Sequence, residues 1–208
     1  MRDQTIREEF WNTITHSFGF VLSLLGFILL LIYVDKNSPQ AIFGTILYGS
    51  SLGILYLVSS LYHYSKNEKR KRILQTLDHI SIYLLIAGTY SPVVLITLPQ
   101  SNGWILFWIV WTIAALGTIL KIFYTGRFEV LSLLLYLIMG WLIIFDFDAL
   151  QQNVDQTGII LLILGGVAYT VGIVFYVLQK MKYNHVIWHL FVLAGSIFHF
   201  LFIFLKVI

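Results

Sequence analysis

Two histidines, His185 and His189, stand four residues apart in an otherwise apolar stretch, "HVIWHLFVLAGSIFHF". On a helix this spacing places both rings on one face, about 6 Å apart. That arrangement suits two ligands of a single metal ion. His63, in "SSLYH", can supply a third from a different segment. Three neutral imidazoles with one open position is the pattern of a catalytic zinc, whereas a structural zinc is closed by four protein ligands. Haem is served less well, because its axial ligands approach from opposite faces and a pair on one helical turn cannot do so. A proton relay of histidine and aspartate would thread a membrane instead of gathering at one depth. Ser59 precedes His63 by four residues and faces the same way, so its hydroxyl could bond a metal-bound water or a substrate oxygen. Against these readings stands the plainer one, that histidines at helix ends sit at an interface or bond a neighbour. By the same token Ser59 could simply pack helices in "YGSSLG", where Gly49 and Gly53 permit close approach. Ser60 faces elsewhere and reads as a packing residue.

The elements that position these groups follow from composition. The chain has 208 residues, 59% hydrophobic and 11% charged. A soluble domain is about half apolar and about a quarter charged, so this is an integral membrane protein of one domain, residues 1–208. It has no cysteine, which excludes disulfides, thiolate nucleophiles and cysteine-type zinc sites. Seven apolar stretches are long enough to span a bilayer as helices. They run from Thr15 to Val34, Ala41 to Tyr62, Thr76 to Leu98, Trp104 to Ile122, Val130 to Phe145, Gly158 to Leu178 and Val186 to Val207. The fold expected is an all-α bundle of seven transmembrane helices, separated by polar punctuation such as "SKNEKRKR" and "DFDALQQNVDQT". The first span has no small-residue cleavage site after it and does not read as a signal peptide. Pro92, in "GTYSP", should kink the third span, with neighbouring hydroxyls compensating the carbonyl it frees.

With the N-terminus in the cytoplasm, eleven basic residues lie on the inner side, while only Lys36 and Lys206 lie outside. This bias places the N-terminus cytoplasmic and the C-terminus external. The run "KNEKRKR" is then a topology signal that also touches anionic lipid, and no nucleic-acid partner is expected. In this topology His16, His63, Asp78, His185 and His189 all fall at the cytoplasmic ends of their helices. Ionisable groups in spans face the bundle interior and mark a site. His79 points about 100° away from Asp78 around the helix and reads as interhelical. His199 is about 15 Å beyond His189 along its helix, so it belongs to packing and not to the site.

Four segments carry a family resemblance. "EEFWNTITH" resembles the E-x-x-N-x-x-T-H segment of the progestin and adiponectin receptor family, and "SSLYH" its S-x-x-x-H motif. "LDHISIYLLIAGTYSP" and "HVIWHLFVLAGSIFHF" are similar to its third-span and final-span signatures. The short N-terminus resembles the hemolysin III branch, and without the long extension of the animal receptors hormone binding is not implied. The resemblance implies zinc held by His63, His185 and His189 near the cytoplasmic face, with Asp78 holding the zinc-bound water and Ser59 beside it. It also implies kinship with alkaline ceramidases, which cleave a lipid amide. Three functions follow as expectations. The first is an intramembrane zinc hydrolase of a lipid amide or ester in the plasma membrane, with Asp78 and Ser59 as catalytic residues. The second is a non-enzymatic membrane-homeostasis or sensor protein in which zinc ties the second, third and seventh helices together. The third is a cytolytic pore, which the absence of a polar stripe through the spans disfavours. The partners expected are membrane lipids and a lipid-like substrate; neither the substrate nor the oligomeric state is legible.

Overall fold

The computed structural model describes residues 4–208. Among these described residues, seven helices are long and apolar enough to cross a membrane: Ile6–Tyr33, Pro39–Tyr64, Glu68–Thr97, Gly103–Tyr124, Glu129–Asn153, Gln156–Val177 and Asn184–Lys206. No strand occurs among the described residues. Several helices begin before the apolar stretch that marks them, because a side chain caps a polar first turn that lies outside the apolar layer. Thr5 forms a capping box with Glu8, and Asn67 accepts from the Arg70 amide. The first and third helices therefore start at Ile6 and Glu68, not at the expected Thr15 and Thr76.

The segment "DFDALQQN", read as polar punctuation after the fifth span, is largely helical. The fifth span tightens into a 3₁₀ turn at Leu142–Asp146 and then continues as helix through Phe147–Asn153. The turn is held from the neighbouring loop, where Ser101 Oγ and the Asn102 amide donate to Asp146 at 2.6 and 3.0 Å. The next helix starts almost at once, with Asp155 accepting from the Gly158 amide at 2.9 Å. Lys206 bonds the same carboxylate at 2.5 Å and holds its pKa below the usual range, pinning the end of the last helix.

The first helix packs between the second and the seventh, the second on the third, and the sixth along the seventh. The third helix is the most enclosed of the seven. The fifth makes only a thin contact with the sixth. Outer faces carry exposed residues such as Phe18, Leu25, Ile105 and Val174, as a lipid-facing surface requires. Gly49 permits the close approach expected of it, since a Cβ there would lie 2.1 Å from the Phe27 ring. Gly53 leaves ordinary space, with its nearest neighbour 3.8 Å away.

Pro92 lies inside the third helix, which passes into a π-helical turn at Val93–Thr97. The hydroxyls of Thr89 and Ser91 donate to the carbonyls of Leu85 and Ala87 at 2.7 and 2.9 Å, not to the Gly88 carbonyl that Pro92 frees, because a helical hydroxyl reaches the carbonyl four residues back and that position for Gly88 is Pro92 itself. The kink rests on Gly44 of the second helix, where a Cβ would come within 2.8 Å of Pro92 Cα. Backbone cannot step aside as a side chain can. Gly44→Ala is therefore expected to cost about 1–3 kcal/mol through overpacking, which outweighs the gain of up to about 1 kcal/mol in helix propensity. Gly140→Ala, where a Cβ would meet nothing within 4 Å, is expected to be neutral or stabilising. Thermal unfolding of the two variants in detergent checks this contrast.

Candidate metal centre

Three buried histidines converge at the end of the bundle where the first helix begins. One potential ligand atom from each of His63, His185 and His189 lies within 4.8 Å of the others. The ring centroids of His63 are 5.0 Å from His185 and 4.9 Å from His189, and the last two are 4.6 Å apart. The Nε2 atoms of His63 and His185 are buried and have no hydrogen-bond partner. An unpaired buried polar atom costs about 1–3 kcal/mol, and two of them aimed into one cluster ask for a shared partner. The donor set, all imidazole nitrogen, is one that zinc accepts. Neighbouring ligands on ~2.1 Å bonds lie roughly 3.4 Å apart, which separations of up to 4.8 Å approach. The three residues therefore could hold a metal ion.

The second helix presents His63 from its last turn, one turn beyond Ser59. The seventh helix presents the other two from its first turns. That helix starts at Tyr183, whose backbone is left-handed (φ 58°) and whose side chain supplies no cap. The cap comes from another helix. The Tyr183 amide donates to Glu8 Oε1 at 2.7 Å, placing a carboxylate at a helix N-terminus, where the dipole favours it. Asn184 Nδ2 donates to the Phe175 carbonyl at 3.3 Å and ties the same turn to the sixth helix.

The first helix contributes more than sequence reasoning assigned to it. Glu9 Oε2 lies 2.5 Å from His63 Nδ1, and its other oxygen is bonded by Lys71. Thr15 Oγ1 lies 3.3 Å from His189 Nδ1. His16 stacks on His189, with centroids 3.5 Å apart and planes within 15°. Glu8, Asn12 and His16 follow one another at four-residue steps on a single buried face. That spacing was the available signal for the polar face of this helix. It remained undecided because the partners lie about 50 to 175 residues away in sequence. The side-chain amide atoms of Asn12 and both ring nitrogens of His16 are buried without partners.

Asp78 is buried at the same end of the third helix. It lines a cavity of about 360 Å³ together with His63, His185, Glu9, Tyr62 and Arg72. Ser59 is 1% exposed, and its hydroxyl lies beside the Asp78 carboxylate, to which it can donate. Ser60 instead donates to the Tyr56 carbonyl at 2.7 Å, a packing role. His79 is interhelical: its Nδ1 is 3.8 Å from Glu129 Oε1, and its carbonyl accepts from Tyr136 at 2.9 Å. Lys121, counted from sequence only as a topology charge, is 0% exposed and bonds Glu129 at 3.0 Å. His199 lies apart from the centre, with Nε2 3.2 Å from the Leu162 carbonyl.

A second cavity, about 100 Å³ and largely apolar, lies between the third, fifth, sixth and seventh helices. Leu85, Tyr136, Trp141, Ile173 and Trp188 line it. The Tyr176 ring packs against both Trp188 and His185, with centroids 5.6 and 5.8 Å away, and so links the wall of this cavity to the histidine cluster.

Comparison with known proteins shows the family. The profile of the family described as "Haemolysin-III related" matches residues 4–200. The chain belongs to the haemolysin-III related family. It is 46% identical to "Hemolysin-3" of Bacillus cereus, over 93% of this chain and 89% of that protein. It is 43% identical to "Hemolysin-3 homolog" of Bacillus subtilis (strain 168), over 92% and 91%. Similarity extends to the human "Monocyte to macrophage differentiation factor", 30% identical over 94% of this chain and 83% of that protein. This haemolysin-III related chain is thus a multi-pass membrane protein with three buried histidines that could hold a metal ion.

Proposed function

We propose that this protein is a zinc-dependent hydrolase of a lipid amide or ester, acting within the plasma membrane. The observation that carries the reading is the meeting of the His63–His185–His189 cluster with buried Asp78 at one polar cavity, beside an apolar one. When bound, zinc supplies Lewis acidity and a water acidified to a pKa of about 7. Asp78 accepts the proton of the attacking water and returns it to the leaving group, as a buried carboxylate next to the reacting atoms can. Ser59, beside Asp78, offers its hydroxyl to the oxygen that gains charge. The apolar cavity is suited to the chain of a lipid, and the thin contact between the fifth and sixth helices offers access from the bilayer. The polar cavity accommodates the head and admits water.

Lipid profiling tests this reading. Cells lacking the native gene are complemented with wild-type protein or with Asp78→Ala. An amide- or ester-linked lipid is expected to accumulate only with the variant. Identical lipid compositions would sink the hydrolase.

The competing reading, a membrane-homeostasis protein with a structural metal, draws on one observation. The three histidines come from the second and seventh helices, which Tyr56 already joins by donating to Ser196 Oγ at 2.8 Å, so a bound ion would tie these two helices further at their polar end. The third helix supplies no histidine to the cluster and is not part of such a tie.

The basic-residue bias supports a site at the cytoplasmic face. A reporter fused at Asn67 is expected to read cytoplasmic and one at Asn153 external. The reverse at both positions would move the site to the outer leaflet.

A further inference from the structure

The geometry points to Glu9 as the positioning residue of the metal centre. It would hold His63 in the tautomer and orientation that leave Nε2 for the metal, and Lys71 would hold Glu9. This inference rests on the metal-centre reading above. Imidazole has two nitrogens, and only one can face a shared ion. Glu9 Oε2 sits 2.5 Å from Nδ1 of His63. An ionised carboxylate can only accept, so Nδ1 must carry the proton. Nε2 is then the lone-pair nitrogen, and Nε2 is the buried atom without a partner.

Glu9 is not itself placed to ligate. One oxygen is committed to His63 and the other to Lys71, whose ammonium also lies 5.5 Å from the centre of the Tyr62 ring. The chain Lys71–Glu9–His63 therefore runs from the mouth of the polar cavity to the ligand atom. It crosses three helices: the third gives Lys71, the first Glu9 and the second His63. The His63 side chain is 2% exposed and that of Glu9 is 19% exposed, so the bond is buried at its imidazole end. Carboxylates that orient a metal-bound histidine, and raise its basicity, contribute about 10–100-fold in metal affinity.

The test uses the full-length protein in detergent, with zinc affinity measured by competition against a chromophoric chelator. Glu9→Gln is expected to weaken zinc by about 10–100-fold, Glu9→Asp to recover part of the loss, and Lys71→Met to lose less than Glu9→Gln. Nitrogen-15 NMR of the histidines in the zinc-loaded wild type should show His63 bound through Nε2 with a proton retained on Nδ1. That measurement needs no variant to fold. Ligation of His63 through Nδ1, or wild-type zinc affinity in Glu9→Gln, would overturn the role of Glu9 while leaving the metal centre intact. A wild-type protein that binds no zinc would overturn the metal centre itself, and this inference with it.

Discussion

The double variant His185→Ala, His189→Ala is expected to lose essentially all zinc, against about one ion per chain for the wild type. Both rings come from the same face of one helix and lie 4.6 Å apart at their centroids. Removing them leaves His63 as the sole remaining member of the cluster, and one imidazole does not retain zinc against a chelator. Each single replacement should also reduce occupancy sharply, because three ligands leave none to spare. His199→Ala serves as the control. Its ring stands at the Leu162 carbonyl, away from the cluster, and its loss should leave zinc content unchanged. Metal content of the purified variants, measured by elemental analysis, decides the matter. Full retention by the double variant would remove the site from these three residues.

The second large effect separates catalysis from architecture. Asp78→Asn is expected to keep most of the metal, since no ligand is lost and the side chain keeps its shape. Turnover should nonetheless fall by about 100-fold or more, as for loss of a positioned general base. Ser59→Ala should cost less, because the ion still polarises the carbonyl. If the metal only ties helices together, the order reverses. Histidine variants then lose thermal stability, while Asp78→Asn is silent in lipid composition and membrane fluidity. Removing the ion with a chelator sharpens the contrast: a hydrolase loses activity and regains it with zinc, whereas a structural tie shows a lower unfolding temperature.

Much of the fold was legible because a bilayer imposes a simple rule. Backbone groups must pair within each segment, so about 20 apolar residues read as one helix. The helix ends were less legible. Ile6, Glu68 and the Phe147–Asn153 segment are set by side-chain caps and by a 3₁₀ turn anchored through Asp146, and hydropathy carries no information about either. Lys121 shows the same limit. A lysine near a helix end reads as a surface charge, and only its pairing with Glu129 on the next helix accounts for its full burial.

By itself the sequence determined the class of protein, the number of spans and the side-chain types available for chemistry. Helical periodicity also put His185 with His189, and Ser59 with His63, because residues four apart share a face whatever surrounds them. Which residues of different helices meet was decided only by the tertiary structure. The packing of the first helix between the second and the seventh brings Glu9 to His63, Thr15 and His16 to His189, and Glu8 to the start of the seventh helix. Those contacts join positions about 50 to 175 residues apart. Local spacing does not reach that far, so the orientation of each histidine is a property of how the helices pack and not of any one of them.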